Sequence, residues 1–258
     1  MKRGRILDIS DCCVHVTHRC HNRDFLLKFG LDRRSYVPRL RETVKRFDVG
    51  VLDHVVTSND VHLLLRACRV DDVSRAMQYL QGLVARDCNR RKKRSGAFWS
   101  DRFKPTLVQN GSHLCRCLFY IGLNMVRAGA VEHPAEWAAC GYHELTGRCQ
   151  RYRIVDVPLL LNCLEMPEQS AHFLEWYERT MQTMCESGYL CREPLWSEAA
   201  AVGSRAWIES LSGTVVTGRR EIVPMGFGNS DVVPAVEEGA GSYALKLSPK
   251  RRQMLWRP

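Results

Sequence analysis

The chain has 258 residues and is 45% hydrophobic, enough for a substantial core in one large domain or one domain with an extension. Its net charge is +10, and residues 1–150 hold 26 basic and 15 acidic side chains against 12 and 13 in the remainder, which points to a polyanion partner for the first part. No run of about 18 apolar residues occurs, which excludes a membrane-spanning helix, and the basic start Met1–Arg5 is interrupted at Asp8 before a leader-length apolar stretch forms, so a cytoplasmic protein is expected.

Twelve cysteines are scattered without any CxxC spacing, which argues against a zinc ribbon or finger. They are expected to be reduced and to act as small apolar residues.

In chain order, Asp11 to Arg19 has the β-branched content of a strand, with Val14, Val16 and His18 on one face. A polar turn from Cys20 to Asp24 follows. His15, His18 and His21 fit no metal spacing and are expected as DNA contacts or solvated side chains. Asp32 to Phe47 reads as an amphipathic helix, with Tyr36, Val37, Leu40, Val44 and Phe47 inward and Pro38 in its first turn.

Leu52 to Leu65 reads as two strands joined at Ser58-Asn59. Asp60 and His62 are one residue apart on the second, so they share a face, and a carboxylate beside an imidazole can grip one divalent cation. His54 would share that face if the strands run straight, with a supporting or core role. Asp71-Asp72 is expected to cap a helix whose stripe is Val73, Met77, Leu80 and Val84.

That helix runs into Arg90-Arg91-Lys92-Lys93-Arg94, followed by Ser95-Gly96. Five adjacent cations need solvent or phosphate, so a flexible phosphate-binding loop is expected. Trp99, Arg102 and Lys104 then interleave aromatic and cationic side chains in the manner of single-strand binding. Thr106 to Asn110 completes a strand, and Gly111-Ser112 opens a helix ending near Gly129. On that helix Tyr120 and Asn124 lie four residues apart on one face. Metal-holding side chains on a strand and a tyrosine on a helix are the parts of an enzyme that attacks a phosphodiester through a phenolic oxygen.

The element order predicts an α+β fold, an antiparallel sheet with helices packed on one face. Residues 1–150 are expected to form this domain and residues 151–258 an extension. Within the extension, Phe173 to Met184 reads as a helix, Ser197 to Leu211 as a helical pair broken at Gly203, and 213–248 as largely irregular.

Four blocks, Val14-His-Val-Thr-His-Arg-Cys-His-Asn-Arg-Asp24, Thr57-Ser-Asn-Asp-Val-His-Leu-Leu-Leu65, Trp99-Ser-Asp-Arg-Phe-Lys104 and Tyr120-Ile-Gly-Leu-Asn-Met-Val-Arg-Ala-Gly129, occur in the order found in single-tyrosine HUH transposases. They most resemble the REP-associated tyrosine transposases of bacteria, over roughly residues 10–145. The resemblance implies a ferredoxin-like fold and an enzyme that cuts and rejoins single-stranded DNA beside hairpins. It implies Tyr120 as the nucleophile that forms a 5′-phosphotyrosine. It further implies a metal held by residues 60 and 62 with Asn124 as third ligand, and DNA contacts that include Arg127.

The family's metal motif is His-hydrophobic-His, whereas this chain has Asp60 at the first position. An oxygen ligand there favours Mg²⁺ or Mn²⁺. Met125 replaces the family's usual proline and would remove a helix kink. The expected partner is hairpin-containing single-stranded DNA, with a homodimer admitted, in a bacterial, nucleoid-associated setting. Two competing readings are a hairpin-DNA-binding relative that has lost catalysis and an RNA-binding α+β module.

Overall fold

The computed structural model describes residues 9–149, 151–166, 170–188, 192–211, 219–224 and 242–248. The first half follows the order β1 (Ser10–Arg19), α1 (Gly30–Arg46), β2 (Val49–Val56), β3 (Asp60–Arg69), α2 (Val70–Arg91) and β4 (Lys104–Val108). Then come α3 (Ser112–Gly122), α4 (Asn124–Arg127), α5 (Tyr142–Leu145), α6 (Val157–Cys163), α7 (Ser170–Glu186) and α8 (Leu195–Glu198). The last elements are β5 (Ala201–Ser204), α9 (Arg205–Ser210), β6 (Arg219–Pro224) and β7 (Ser242–Ser248).

Strand order is β2-β3-β1-β4-β5-β7-β6 in one sheet. Its first four strands are antiparallel and arranged as β-α-β-β-α-β, the ferredoxin-like pattern. β5 joins β4 in parallel, so chain from beyond residue 150 continues the same sheet. β1 and β3 alternate between two cores. Val14, Val16, Val61, Leu63 and Leu65 face the core that holds Tyr36 and Leu40 of α1 and Met77 and Leu80 of α2. Cys13 and Leu64 face the other core, with Leu118 and Ile121 of α3, Leu160 of α6 and Tyr177 and Met181 of α7. Helices therefore cover both faces, α1 and α2 on one and α3, α6 and α7 on the other.

Several local expectations are corrected. α1 starts at Gly30, with the Asp32 carboxylate accepting from the Phe29 amide, so Pro38 lies inside the helix and not in its first turn. Asp71 and Asp72 sit within the first turn of α2, where they complement the helix dipole, and Arg69 takes the cap position. The Ser197–Leu211 stretch is not a pair of adjoining helices. Ala201–Ser204 between α8 and α9 is recruited as β5, because β4 offers it a free edge. Within 213–248, β6 and β7 are regular strands; residues 213–218 and 225–241 lie outside the described residues. The eleven described cysteines are free thiols, most of them buried. No helix among the described residues is long and apolar enough to cross a membrane.

Candidate active site

Strand register assembles the site. Pairing of β1 with β3 sets Thr17 opposite His62, His15 opposite Leu64 and Arg19 opposite Asp60. Asp60, His62, His15 and Thr17 therefore share one face, the face covered by α3. His62 Nε2 stands 3.8 Å from Asp60 Oδ1. The carboxylate is already oriented: the Thr57 hydroxyl donates to Oδ1 at 2.6 Å, and Arg19 Nη2 reaches Oδ2 at 3.5 Å. Thr57 Oγ1 in turn accepts from the Asp60 amide at 2.9 Å, so the two-residue turn holds the ligand-bearing strand end rigidly.

His54 is not on this face. The tight turn pairs Val55 with His62, which puts His54 opposite Leu63 on the α1–α2 side. It is buried there, as a core residue. His15 and His18 are buried as well, correcting the expectation of solvated or DNA-contacting side chains. His18 stacks on Trp99 with ring centroids 3.9 Å apart, and its Nε2 meets the Asp101 carbonyl at 3.0 Å.

His15 connects the strand residues to the rest of the site. Its Nε2 lies 3.0 Å from His62 Nδ1, and its Nδ1 lies 2.8 Å from the Trp196 carbonyl oxygen. The two imidazoles stack at 5.2 Å. Burial lowers the His15 pKa to about 3, with His62 adding to the effect. Burial likewise lowers His62, while Asp60 acts in the opposite sense.

α3 delivers Tyr120 over this group, its ring 6.3 Å from His15 and 6.0 Å from Trp196. The phenol is 9% exposed, and burial raises its pKa above the ordinary value. Arg127 pulls the other way, its guanidinium lying 3.9 Å from the ring centroid. The helix carrying Tyr120 does not run on to Gly129. It breaks at Leu123, so Tyr120 lies in the last turn of α3 and Asn124 begins α4, even with Met125 in place of proline. Gly122 just before the break permits close packing, since a Cβ there would lie 3.0 Å from the Tyr177 hydroxyl of α7.

A cation could draw on one carboxylate oxygen of Asp60 and on His62 Nε2, to which the family resemblance adds the half-buried Asn124 amide at the start of α4. Among the described residues no group of three or more His, Cys, Asp or Glu is placed to hold a metal, so the amide is needed to complete a third protein ligand. Oxygen-weighted donors of this kind fit Mg²⁺ or Mn²⁺ better than softer ions. The Thr17 hydroxyl, directly across from His62, is buried without a hydrogen-bond partner among the described residues, as expected beside a site that takes a polar ligand.

The expected DNA-binding residues separate into tied and free groups. Arg90 and Arg91 lie on the last turn of α2, and a tight turn through Lys93 follows, so the five cations are not a flexible loop. Arg91 and Lys92 are held by the buried Asp32 carboxylate, at 2.5 and 2.7 Å. Arg94 donates to Asn89 and to the Ala97 carbonyl; Arg90 is exposed and pairs with Asp87 at 3.3 Å, and Lys93 is exposed. Trp99 is half-buried and donates to the Gln81 carbonyl; Arg102 and Lys104 are exposed. Arg127 is turned onto Tyr120.

The sequence pattern gave His15 no part in the site and did not single out Thr17, Arg19, Trp196 or two exposed aromatics. Phe25 and Phe29 are 64% and 63% exposed on the segment between β1 and α1. That segment packs on the turn before Asp60, the Leu27 amide donating to the Ser58 carbonyl at 2.9 Å. Lys92 lies 5.8 Å from the Phe29 ring. The signal for this pair in the sequence is two aromatics outside any apolar period and close to Arg23 and Lys28.

Residues 8–121 match the family model described as "Transposase IS200 like". A solved REP-associated tyrosine transposase bound to a REP hairpin is similar in fold, with a TM-score of 0.51 and 17% identity over 60% of this chain and 94% of that one. A Deinococcus radiodurans protein described as a transposase aligns at 18% identity over 50% of this chain and 98% of its own, with a TM-score of 0.35, too low to carry weight. No curated protein matches the chain.

Proposed function

We propose that this chain, whose residues 8–121 match the IS200-like transposase family model, cuts and rejoins single-stranded DNA beside hairpins through Tyr120. The observation that carries this reading is a helix-borne phenol, capped by Arg127, set beside His15, whose ring stacks on His62 next to Asp60.

The Tyr120 oxygen attacks the scissile phosphorus, the bond to the 3′-oxygen breaks, and the phenol's proton passes on balance to that departing oxygen. A 5′-phosphotyrosyl bond and a free 3′-hydroxyl result, and a second 3′-hydroxyl reverses the step to join strands. Arg127 over the ring favours the phenolate against the burial that opposes it. Mg²⁺ or Mn²⁺ held by Asp60, His62 and Asn124 would add positive charge where the phosphoryl oxygens gain negative charge. Exposed Arg90, Lys93, Arg102 and Lys104 supply phosphate contacts, and Phe25 and Phe29 offer rings on which unpaired bases stack.

The test is cleavage of labelled hairpin-bearing single strands with Mg²⁺ or Mn²⁺. Wild type should yield a covalent protein–DNA species resistant to denaturation. Tyr120→Phe should lose it by more than about 1,000-fold while binding the hairpin nearly as well, since only one hydroxyl is removed. An adduct of wild-type yield in Tyr120→Phe would assign the nucleophile elsewhere.

The prior engagement of the Asp60 carboxylate by Thr57 and Arg19 favours one second reading, a hairpin-binding protein that no longer cuts. Binding without any adduct in every divalent cation tried would select it.

A further inference from the structure

We propose that the Trp196 carbonyl and the His15 imidazole form a hydrogen-bond relay that fixes the tautomer of His62, leaving His62 Nε2 as a bare lone pair beside Asp60. At the outer end, a backbone carbonyl can only accept, so the 2.8 Å contact requires a hydrogen on His15 Nδ1. The His15 ring has no exposed surface, and its two nitrogens meet a carbonyl and another imidazole, with no carboxylate to offset a charge. A cation there would be buried unpaired, so His15 is neutral and its Nε2 carries no hydrogen.

The hydrogen in the 3.0 Å contact between the rings must then belong to His62 Nδ1. In the neutral ring that burial favours, His62 has nothing left to donate from Nε2. That atom stands 3.8 Å from Asp60 Oδ1, beyond a direct hydrogen bond, so two electron-rich atoms lie close together. A shared cation relieves this arrangement, and the opposite tautomer would place a hydrogen in its way.

His15 and Trp196 are thus positioning residues, in the manner of outer groups that orient a metal-binding imidazole. The relay's outer end lies beyond residues 8–121, in the segment leading to β5. That segment is anchored on β4, where the Thr106 hydroxyl donates to the Ala199 carbonyl at 2.8 Å and the Leu107 amide to the Ala200 carbonyl at 2.9 Å. Chain after the matched domain therefore sets the protonation pattern inside it. The role assigned to the bare Nε2 rests on the proposed cation site, but the tautomer itself can be measured without metal or DNA.

The experiment is long-range ¹H–¹⁵N correlation of the full-length, metal-free protein labelled at histidine. Both His15 and His62 should appear with hydrogen on Nδ1 and a bare Nε2. His15→Leu should abolish the preference at His62 and weaken Mn²⁺ binding, followed by electron paramagnetic resonance, roughly 10–100-fold. His15→Gln should preserve both, because an amide can donate to the carbonyl and accept from His62. A wild-type His62 carrying hydrogen on Nε2, or a doubly protonated His15, overturns the relay even if His15→Leu does not fold. So does an unchanged His62 tautomer in a folded His15→Leu. A wild type that never cleaves DNA yet shows the expected tautomers would sink the proposed activity and leave the relay in place.

Discussion

The guanidinium of Arg127 lies over the ring of Tyr120, 3.9 Å from its centroid, while its Nη2 donates to the carbonyl oxygen of the same residue at 2.8 Å. One side chain is thus pinned to both the backbone and the ring of the proposed nucleophile across the break between α3 and α4. Arg127→Lys keeps the charge but loses the planar fork and the stacking. It should lower the rate of adduct formation roughly 10–100-fold with hairpin affinity changed less than about threefold, a charge-assisted hydrogen bond being worth about 1.5–3 kcal/mol. A mutant that loses affinity and rate equally would make Arg127 a simple DNA contact.

Asp60 decides whether the site is armed. Asp60→Ala should lose cleavage, because His62 and Asn124 alone are two neutral ligands. Asp60→His should keep or raise it and widen tolerance toward Co²⁺ and Ni²⁺. The new imidazole gives up the hydrogen bonds to Thr57 and Arg19, so its melting temperature should fall slightly. Wild-type rates in Asp60→Ala, measured across a Mg²⁺ and Mn²⁺ series, would remove Asp60 from the metal site.

The basic run should divide by position. Asp32 is 2% exposed, and although burial opposes its charge, Lys92 and Arg91 outweigh that and hold its pKa below the ordinary value. Arg91→Ala or Lys92→Ala leaves this carboxylate short of a partner and should cost roughly 1–3 kcal/mol in urea melts. Replacing the exposed Arg90 and Lys93 together should barely move stability, but should reduce the slope of log K against log salt by about 0.7 for each phosphate no longer neutralised. An unmoved salt slope would place the strand on another surface.

Phe25→Ala and Phe29→Ala should each weaken binding of a single-stranded flank by about 1–3 kcal/mol through the absence of base stacking. Both rings are largely exposed, so the melting temperature should hold. Equal affinities for flanked and flankless hairpins in wild type would mean that no base stacks there.

Three histidines outside the proposed metal site predict acid sensitivity. Burial lowers His18, His54 and His113 to about 4, with Arg116 adding at His113 and His143 at His54. The unfolded chain takes up these protons below about pH 6.5, whereas the folded one resists until about 4. Their stabilising contribution is whole above about pH 6.5 and is lost as pH falls toward 4, by up to about 1.4 kcal/mol per pH unit for each. Melting temperature should therefore drop between pH 7 and 5, and His54→Leu should make that drop shallower. A flat profile would mean that the imidazoles reach water when folded.

Short-range alternation on a strand put Asp60 beside His62, because it is a local rule, but the four-residue spacing of Tyr120 and Asn124 presumed one helix, which breaks between them at Leu123. His54 was misplaced because a two-residue turn pairs residue 55 with 62, and parity counted along the chain does not survive that reversal. Tied cations at Arg91 and Lys92 look like free ones until Asp32, nearly sixty positions earlier, is folded against them. The same holds for His15 and Trp196, joined across 181 positions by a backbone oxygen that no side-chain pattern can announce.

The joining of β4 to β5 also bears on what happens if the chain is cut short. The four-stranded half has two outer edges, and both are covered by later chain: Val51 and Val56 of β2 bond to Asp156 and Ala139, and Leu107 and Gln109 beside β4 bond to Ala200 and Val202. A fragment ending near residue 150 would keep Ala139 but lose the other three. It would expose a bare strand, Lys104–Val108, whose apolar Leu107 and Val108 sit between unpaired amides and carbonyls. Bare edges of this kind recruit further strands, so shortening the protein to its first 150 residues trades an internal pairing for self-association.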